Sequence, residues 1–174
     1  HKVDAAVYGG VAPKANIISL KVLDANGAGY TSTVVDAIEF AIDNKDKLGI
    51  DIVNLSLGHP ILEAVATDPL VQAVEAAVRA GIVVVTSAGN YGTNPDTLQT
   101  GYAGVTSPGN APSAITVGAI DTKQTVTRSD DTIPDYSSRG PTWYDALTKP
   151  DLVAPGHQLV SDAADASTLT NTRS

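Results

Sequence analysis

Ile82-Val83-Val84-Val85-Thr86-Ser87-Ala88-Gly89-Asn90 is the stretch on which the fold turns. Its apolar, β-branched start reads as a strand buried on both faces, the pattern of a parallel sheet. The strand stops at a glycine and presents an amide side chain at its carboxyl end. In open parallel sheets, ligands and chemistry gather outside that end. An Asn fixed there can donate its side-chain N–H to an oxyanion forming on a substrate carbonyl. Taken alone, Gly89-Asn90 is an ordinary turn dipeptide. Its surroundings favour the functional reading, because a second strand, Ile52-Val53-Asn54-Leu55, ends in Ser56-Leu57-Gly58. Between the two strands lies a helix of the right length for one crossover.

Working outward, residues 17–23 read as a strand. Asp24-Ala25-Asn26-Gly27-Ala28-Gly29 follows as a glycine loop. Thr31 or Ser32 is expected to cap a helix running to about Lys47. Val34, Val35, Ile38, Ala41 and Ile42 form its apolar stripe, and Gly49 ends it. Asp68-Pro69 opens the crossover helix with Asp at the N-cap and Pro in its preferred first position. Leu70, Val71, Val74, Ala77 and Val78 face inward, and Gly81 closes the helix. Residues 114–120 and 151–154 are shorter strands, and the turn-rich residues 121–150 between them carry the single Trp. Strands alternating with helices of this length predict an α/β fold: three layers, with a mostly parallel sheet and helices on both faces. Right-handed crossovers would bring residues 27–30, 56–58 and 87–90 to one rim.

Composition excludes several functions. The 174 residues suit one domain with a real core, and 43% of them are apolar. No apolar run approaches the roughly 18 residues of a membrane span. A formal charge of −8 without any basic cluster argues against nucleic acid. Without cysteine there is no disulfide or thiolate metal site, a composition that fits a secreted protein and many cytosolic ones. The chain starts at His1, has no Met and is expected to be a piece of a longer one. A nucleotide-binding reading fails at Gly27-Ala28-Gly29, which lacks the third glycine of the dinucleotide pattern and the Lys of a P-loop.

Several segments together carry a resemblance. They include Gly10-Val11-Ala12-Pro13, Ile18–Leu23, Asn54-Leu55-Ser56-Leu57-Gly58, Gly81–Asn90 and Ile115-Thr116-Val117-Gly118-Ala119. Tyr136-Ser137-Ser138-Arg139-Gly140-Pro141 and Lys149–Gly156 complete the series. In order and spacing the chain resembles the middle of the subtilisin-like serine proteases, the subtilases. The resemblance implies a subtilisin-like but incomplete fold. It also implies peptide-bond hydrolysis by a Ser-His-Asp triad through an acyl-enzyme. Asn90 matches the family's oxyanion donor. Ser56, Leu57 and Gly58 match the strand that pairs with an extended substrate. Ser87, Ala88 and Gly89 match the opposite wall of a pocket suited to a large apolar or aromatic side chain. Gly27, Ala28 and Gly29 match a second substrate-flanking strand, and Tyr136 is a weaker match on the leaving-group side.

The triad itself is not expected among residues 1–174, read as a partial catalytic domain. The family's Asp-x-Gly, His-Gly-Thr-His and Gly-Thr-Ser-Met-Ala motifs do not occur. His1, His59, His157 and Ser174 lack those contexts, although His59 could line the substrate channel. The isolated chain is therefore expected to be inactive. The competing reading is a non-catalytic peptide-binding or assembly module that keeps the cleft. Self-association is a further expectation, because the family's first strand would separate residues 17–23 from 51–55 and leave two apolar edges. No cofactor is required. The resemblance does imply a weak structural Ca²⁺ site, with the Asp151 carboxylate and the carbonyls of Gly109, Ala111 and Ala114 as ligands. The acidic pair Asp130-Asp131 is a second metal candidate, against a solvated turn. A secreted location and an extended polypeptide partner complete the expectation, with no membrane partner.

Overall fold

The computed structural model describes residues 10–159. Contacts divide the chain into a unit of Leu20–His157 and a unit of His1–Ser19 with Gln158–Ser174. In the described part of the latter, the Ala15 N–H donates to the Ala12 carbonyl at 3.0 Å and closes a turn.

The larger unit runs α1 (Thr31–Asp43), α2 (Lys45–Leu48), β1 (Ile52–Leu55), α3 (Pro69–Arg79), β2 (Val83–Ser87), β3 (Ile115–Ile120) and β4 (Leu152–Pro155). The four strands form one sheet in the order β1-β2-β3-β4, parallel throughout. Ile52 pairs with Val83, Val85 with Ile115, and Val117 with Leu152. The architecture is of the expected α/β class. The sheet and the α1/α3 helix pair are the layers built from described residues.

Helix periodicity translates directly into burial. Val34, Ile38 and Ala41 of α1 and Leu70, Val71, Val74 and Ala77 of α3 are buried. They pack with Leu55, Ile82 and Val84 into one core. Asp68 caps α3 as expected, its Oδ1 accepting from the Leu70 N–H at 2.9 Å and the Val71 N–H at 3.2 Å. Gly49 and Gly81 take positive φ of 66° and 82° where the helices end, a conformation costly for other residues.

The structure corrects three expectations. Residues 17–23 form no strand, and Ile17, Ile18 and Leu20 are exposed. A strand needs a partner for its backbone groups, and among the described residues no chain pairs with this segment. The first helix starts at a Tyr30 N-cap without a side-chain bond. The N–H groups of Thr33 and Val34 already donate to the Tyr30 carbonyl, so Thr31 lies inside the helix. Finally, the predicted helix over 31–47 breaks at Asn44, whose amide donates to the Phe40 carbonyl at 2.9 Å and competes with the backbone ladder.

Candidate active site

The register sets the site. Leu55 is opposite Thr86 at the carboxyl ends of neighbouring strands, so residues 56–58 and 87–90 leave the sheet side by side. Ser87 Oγ lies 3.5 Å from the Leu57 carbonyl and donates to it, a long contact that marks where the two walls meet. The Ser56–Gly58 wall is secured beyond its end, where His59 and Ser107 exchange two backbone bonds of 3.0 Å each. The Ser87–Asn90 wall is tied more closely. The Ala88 N–H donates to the Val117 carbonyl at 2.9 Å. The Ala88 and Gly89 carbonyls accept from the N–H groups of Thr106 (3.0 Å) and Ser138 (3.1 Å). Asn90 follows as an exposed residue at the end of this anchored strip, and no other described residue engages its side-chain amide.

Both walls need glycine because Thr106 lies between them. A Cβ on Gly58 would come within 2.8 Å of Thr106 Oγ1, and one on Gly89 within 2.9 Å of Thr106 Cγ2. Gly89 also has φ of +104°, which L side chains rarely adopt. Thr106 itself is buried and also lines a cavity of about 310 Å³ bordered by Pro60, Ile61, Tyr91, Tyr102 and Trp143. Sequence reasoning missed Thr106. It reaches the site across a loop, and no local motif marks it.

Gly27–Gly29 forms a turn closed on itself. Asp24 Oδ1 accepts from the N–H groups of Asn26 (2.8 Å) and Ala28 (3.0 Å), and the Asp24 N–H donates to the Ala28 carbonyl at 2.8 Å. Those two N–H groups hold the Asp24 carboxyl below its ordinary value. Among the described residues no hydrogen bond joins this turn to either wall.

The histidines are engaged elsewhere. The His59 Nδ1–H donates to the Pro60 carbonyl at 2.8 Å. His157 stacks on Tyr136 with ring centroids 5.8 Å apart, and its Nε2 lies 4.0 Å from Asp121 Oδ2. The Tyr136 hydroxyl donates to the Gly156 carbonyl at 3.1 Å. His1 and Ser174 lie outside the described residues.

Three of the four expected cation ligands, Asp151, Ala114 and Gly109, are likewise partnered. Asp151 Oδ2 accepts from the Thr116 N–H and from Lys149 Nζ, both at 2.7 Å. The same ammonium donates to the Ala114 carbonyl at 2.8 Å, and Thr116 Oγ1 donates to the Gly109 carbonyl at 2.7 Å. Burial raises the Asp151 pKa, but the Lys149 ammonium and the Thr116 N–H outweigh it and hold the carboxyl below its ordinary value. Asp130 accepts from Thr125 Oγ1, and Asp131 pairs with Arg128 at 3.6 Å. Among the described residues no group of three or more His, Cys, Asp or Glu side chains could hold a metal ion, and no helix is long and apolar enough to cross a membrane.

Comparison with known proteins places these features in a lineage. A model of the Subtilase family matches residues 2–174. Serine protease AprX of Bacillus subtilis (strain 168) is 43% identical over 160 residues, which cover 88% of this chain and 34% of that protein. Subtilisin E of the same organism is 36% identical over 152 residues, covering 87% of this chain and 33% of its own length. Among solved structures, Sphericase superposes with a TM-score of 0.66 at 30% identity, over 84% of this chain and 45% of that one. The chain thus spans about a third of the length of the curated relatives it matches.

Proposed function

Because the chain belongs to the subtilase family, we propose that it forms the substrate groove and supplies the oxyanion donor of a serine endopeptidase. In this reading an extended polypeptide lies along Ser56–Gly58, pairing its backbone as an added strand. The Ser87–Gly89 strip forms the facing wall, and the Gly27–Gly29 turn belongs to the far side of the bound peptide. The Asn90 amide donates to the oxyanion that develops on the scissile carbonyl as the acyl-enzyme forms and breaks down. The observation that carries this reading is the Leu57–Ser87 contact, which sets the two walls beside each other, with Asn90 exposed at the end of the second.

The groove also suggests a substrate class. Thr106 fills the space between Gly58 and Gly89, so the site favours a short side chain on the residue before the cut. The small wall residues by themselves suggest a large apolar or aromatic side chain, and the two readings differ in the weight given to Thr106. The isolated chain would not hydrolyse peptides, because the family's Asp-x-Gly, His-Gly-Thr-His and Gly-Thr-Ser-Met-Ala motifs do not occur in it. Secretion is part of the same proposal.

The test is Asn90→Ala in the protein that carries this segment. Removal of one such donor costs about 10²–10³ in kcat, a magnitude already characteristic of this family. KM for a fluorogenic peptide should change little. An unchanged kcat would sink the oxyanion role. Peptide binding by a parent protein without hydrolytic activity would leave the competing binding-module reading in its place.

A further inference from the structure

Two of the four groups that a weak cation site would use, the Asp151 carboxylate and the Ala114 carbonyl, are held here by a lysine in place of a metal ion. We propose that the Lys149 ammonium is a built-in cation that pins the start of β3 to the start of β4, so that this corner of the fold takes up no metal.

The argument begins with burial. Lys149 is one of the few buried charged residues, with its side chain 4% exposed. A lone ammonium in such a place would be strongly disfavoured, and it persists when paired and hydrogen-bonded. Lys149 has both kinds of partner, the Asp151 carboxylate at 2.7 Å and the Ala114 carbonyl at 2.8 Å. These come from residues just before β4 and just before β3. Asp151 also accepts from the Thr116 N–H, while its own N–H donates to the Thr116 carbonyl at 2.9 Å. One positive charge thus neutralises the carboxylate and ties both strand starts in the register that aligns Val117 with Leu152.

A metal ion is incompatible with that arrangement for two reasons. Calcium requires about six to eight oxygens in its shell, whereas the ammonium stands against the only carboxylate of the set, Asp151, and the Ala114 carbonyl, where the ion would have to sit. A divalent ion would also sit against a buried ammonium, and repulsion between like charges is screened little in the interior.

Amide hydrogen exchange in the full protein tests this when protection at Thr116–Ala119 is taken relative to that of the Leu70 and Val71 amides, because a cation bound elsewhere stabilises the whole fold and raises both. In the unaltered protein, protection at Thr116–Ala119 should be the same in EDTA, in calcium chloride and in sodium chloride. In Lys149→Glu, protection there should fall at least tenfold in EDTA and return when calcium is added, because a carboxylate replaces the ammonium and leaves an anionic pocket. Lys149→Gln should lose protection that no cation restores. Protection that rises with calcium in the unaltered protein would overturn the proposal, and this arm does not depend on any variant folding. Full protection of Lys149→Gln in EDTA would overturn it as well. So would a Lys149→Glu protein that calcium fails to restore.

Discussion

The two faces of the sheet are built from the same apolar vocabulary and meet different fates. Val53, Leu55, Val84 and Thr86 alternate onto one face, where α1 and α3 cover them, and Val84 is 1% exposed. Ile52, Val83, Ile115 and Leu152 point the other way, and Ile52 is 63% exposed. The difference shows where the stability of this chain resides. Burial against the helix pair holds the strands in place, while the carboxyl-end rim and the bare face carry little of that load. Leu70→Ala in α3 should therefore cost about 2–5 kcal/mol, as loss of a fully buried side chain does. Ile52→Ala should cost less than about 1 kcal/mol, because most of that side chain already meets water. Denaturant unfolding of the two variants side by side measures the contrast. Equal losses would break it and show that the second face is covered in solution.

The comparison sharpens at Thr106, which is buried yet belongs to the groove. Thr106→Gly should open the space between Gly58 and Gly89 toward the cavity beside Tyr91 and Trp143. On the proposed function, kcat/KM for a peptide with Phe before the cut should rise against one with Ala by about 10–200-fold, the range that methylene-sized differences in a pocket produce. An unchanged ratio would mean that this side chain does not bound the substrate site.

The two helix starts on the covered face offer a smaller contrast. Asp68→Ala removes a buried carboxylate cap with two N–H partners and should cost about 1–2 kcal/mol. Thr31→Ala at the uncapped start of α1 should fall within about 0.5 kcal/mol of no effect. A larger loss at Thr31 would reveal a role for its hydroxyl that the hydrogen bonds do not include.

What the sequence disclosed follows the same division. Elements whose partners lie close in the chain were legible. Asp68-Pro69 announces α3, the 3.6-residue spacing of Val34, Ile38 and Ala41 announces α1, and the apolar run from Ile82 announces β2. The rim dipeptide Gly89-Asn90 was legible because a strand must end where its apolar run ends. Features that depend on distant partners were not. Residues 17–23 have strand composition, but composition supplies no neighbour for the backbone. Thr106 and Lys149 acquire their roles from Gly58, Gly89 and Ala114, each reached through a loop whose path no periodicity records.

The smallest expected effect lies away from the covered face, in the solvent-exposed Asp24 turn. Its carboxyl is held below the ordinary value of 3.8 by the N–H groups of Ala28 and Asn26. A depressed folded-state pKa means that the ionised form supports the turn. That support is complete above the ordinary value and disappears as pH falls through the depressed one. The carboxyl is solvent-exposed, so the loss should be local, with no measurable change in global unfolding. Amide exchange at Ala28, followed from about pH 6 to about pH 2, should show protection that fades only at the acid end, while the Leu70 and Val71 amides of α3 hold theirs. Asp24→Asn should flatten the Ala28 profile. Parallel fading at Ala28 and Leu70 would mean that this turn and the covered face unfold as one unit, and the separation between them would then be lost.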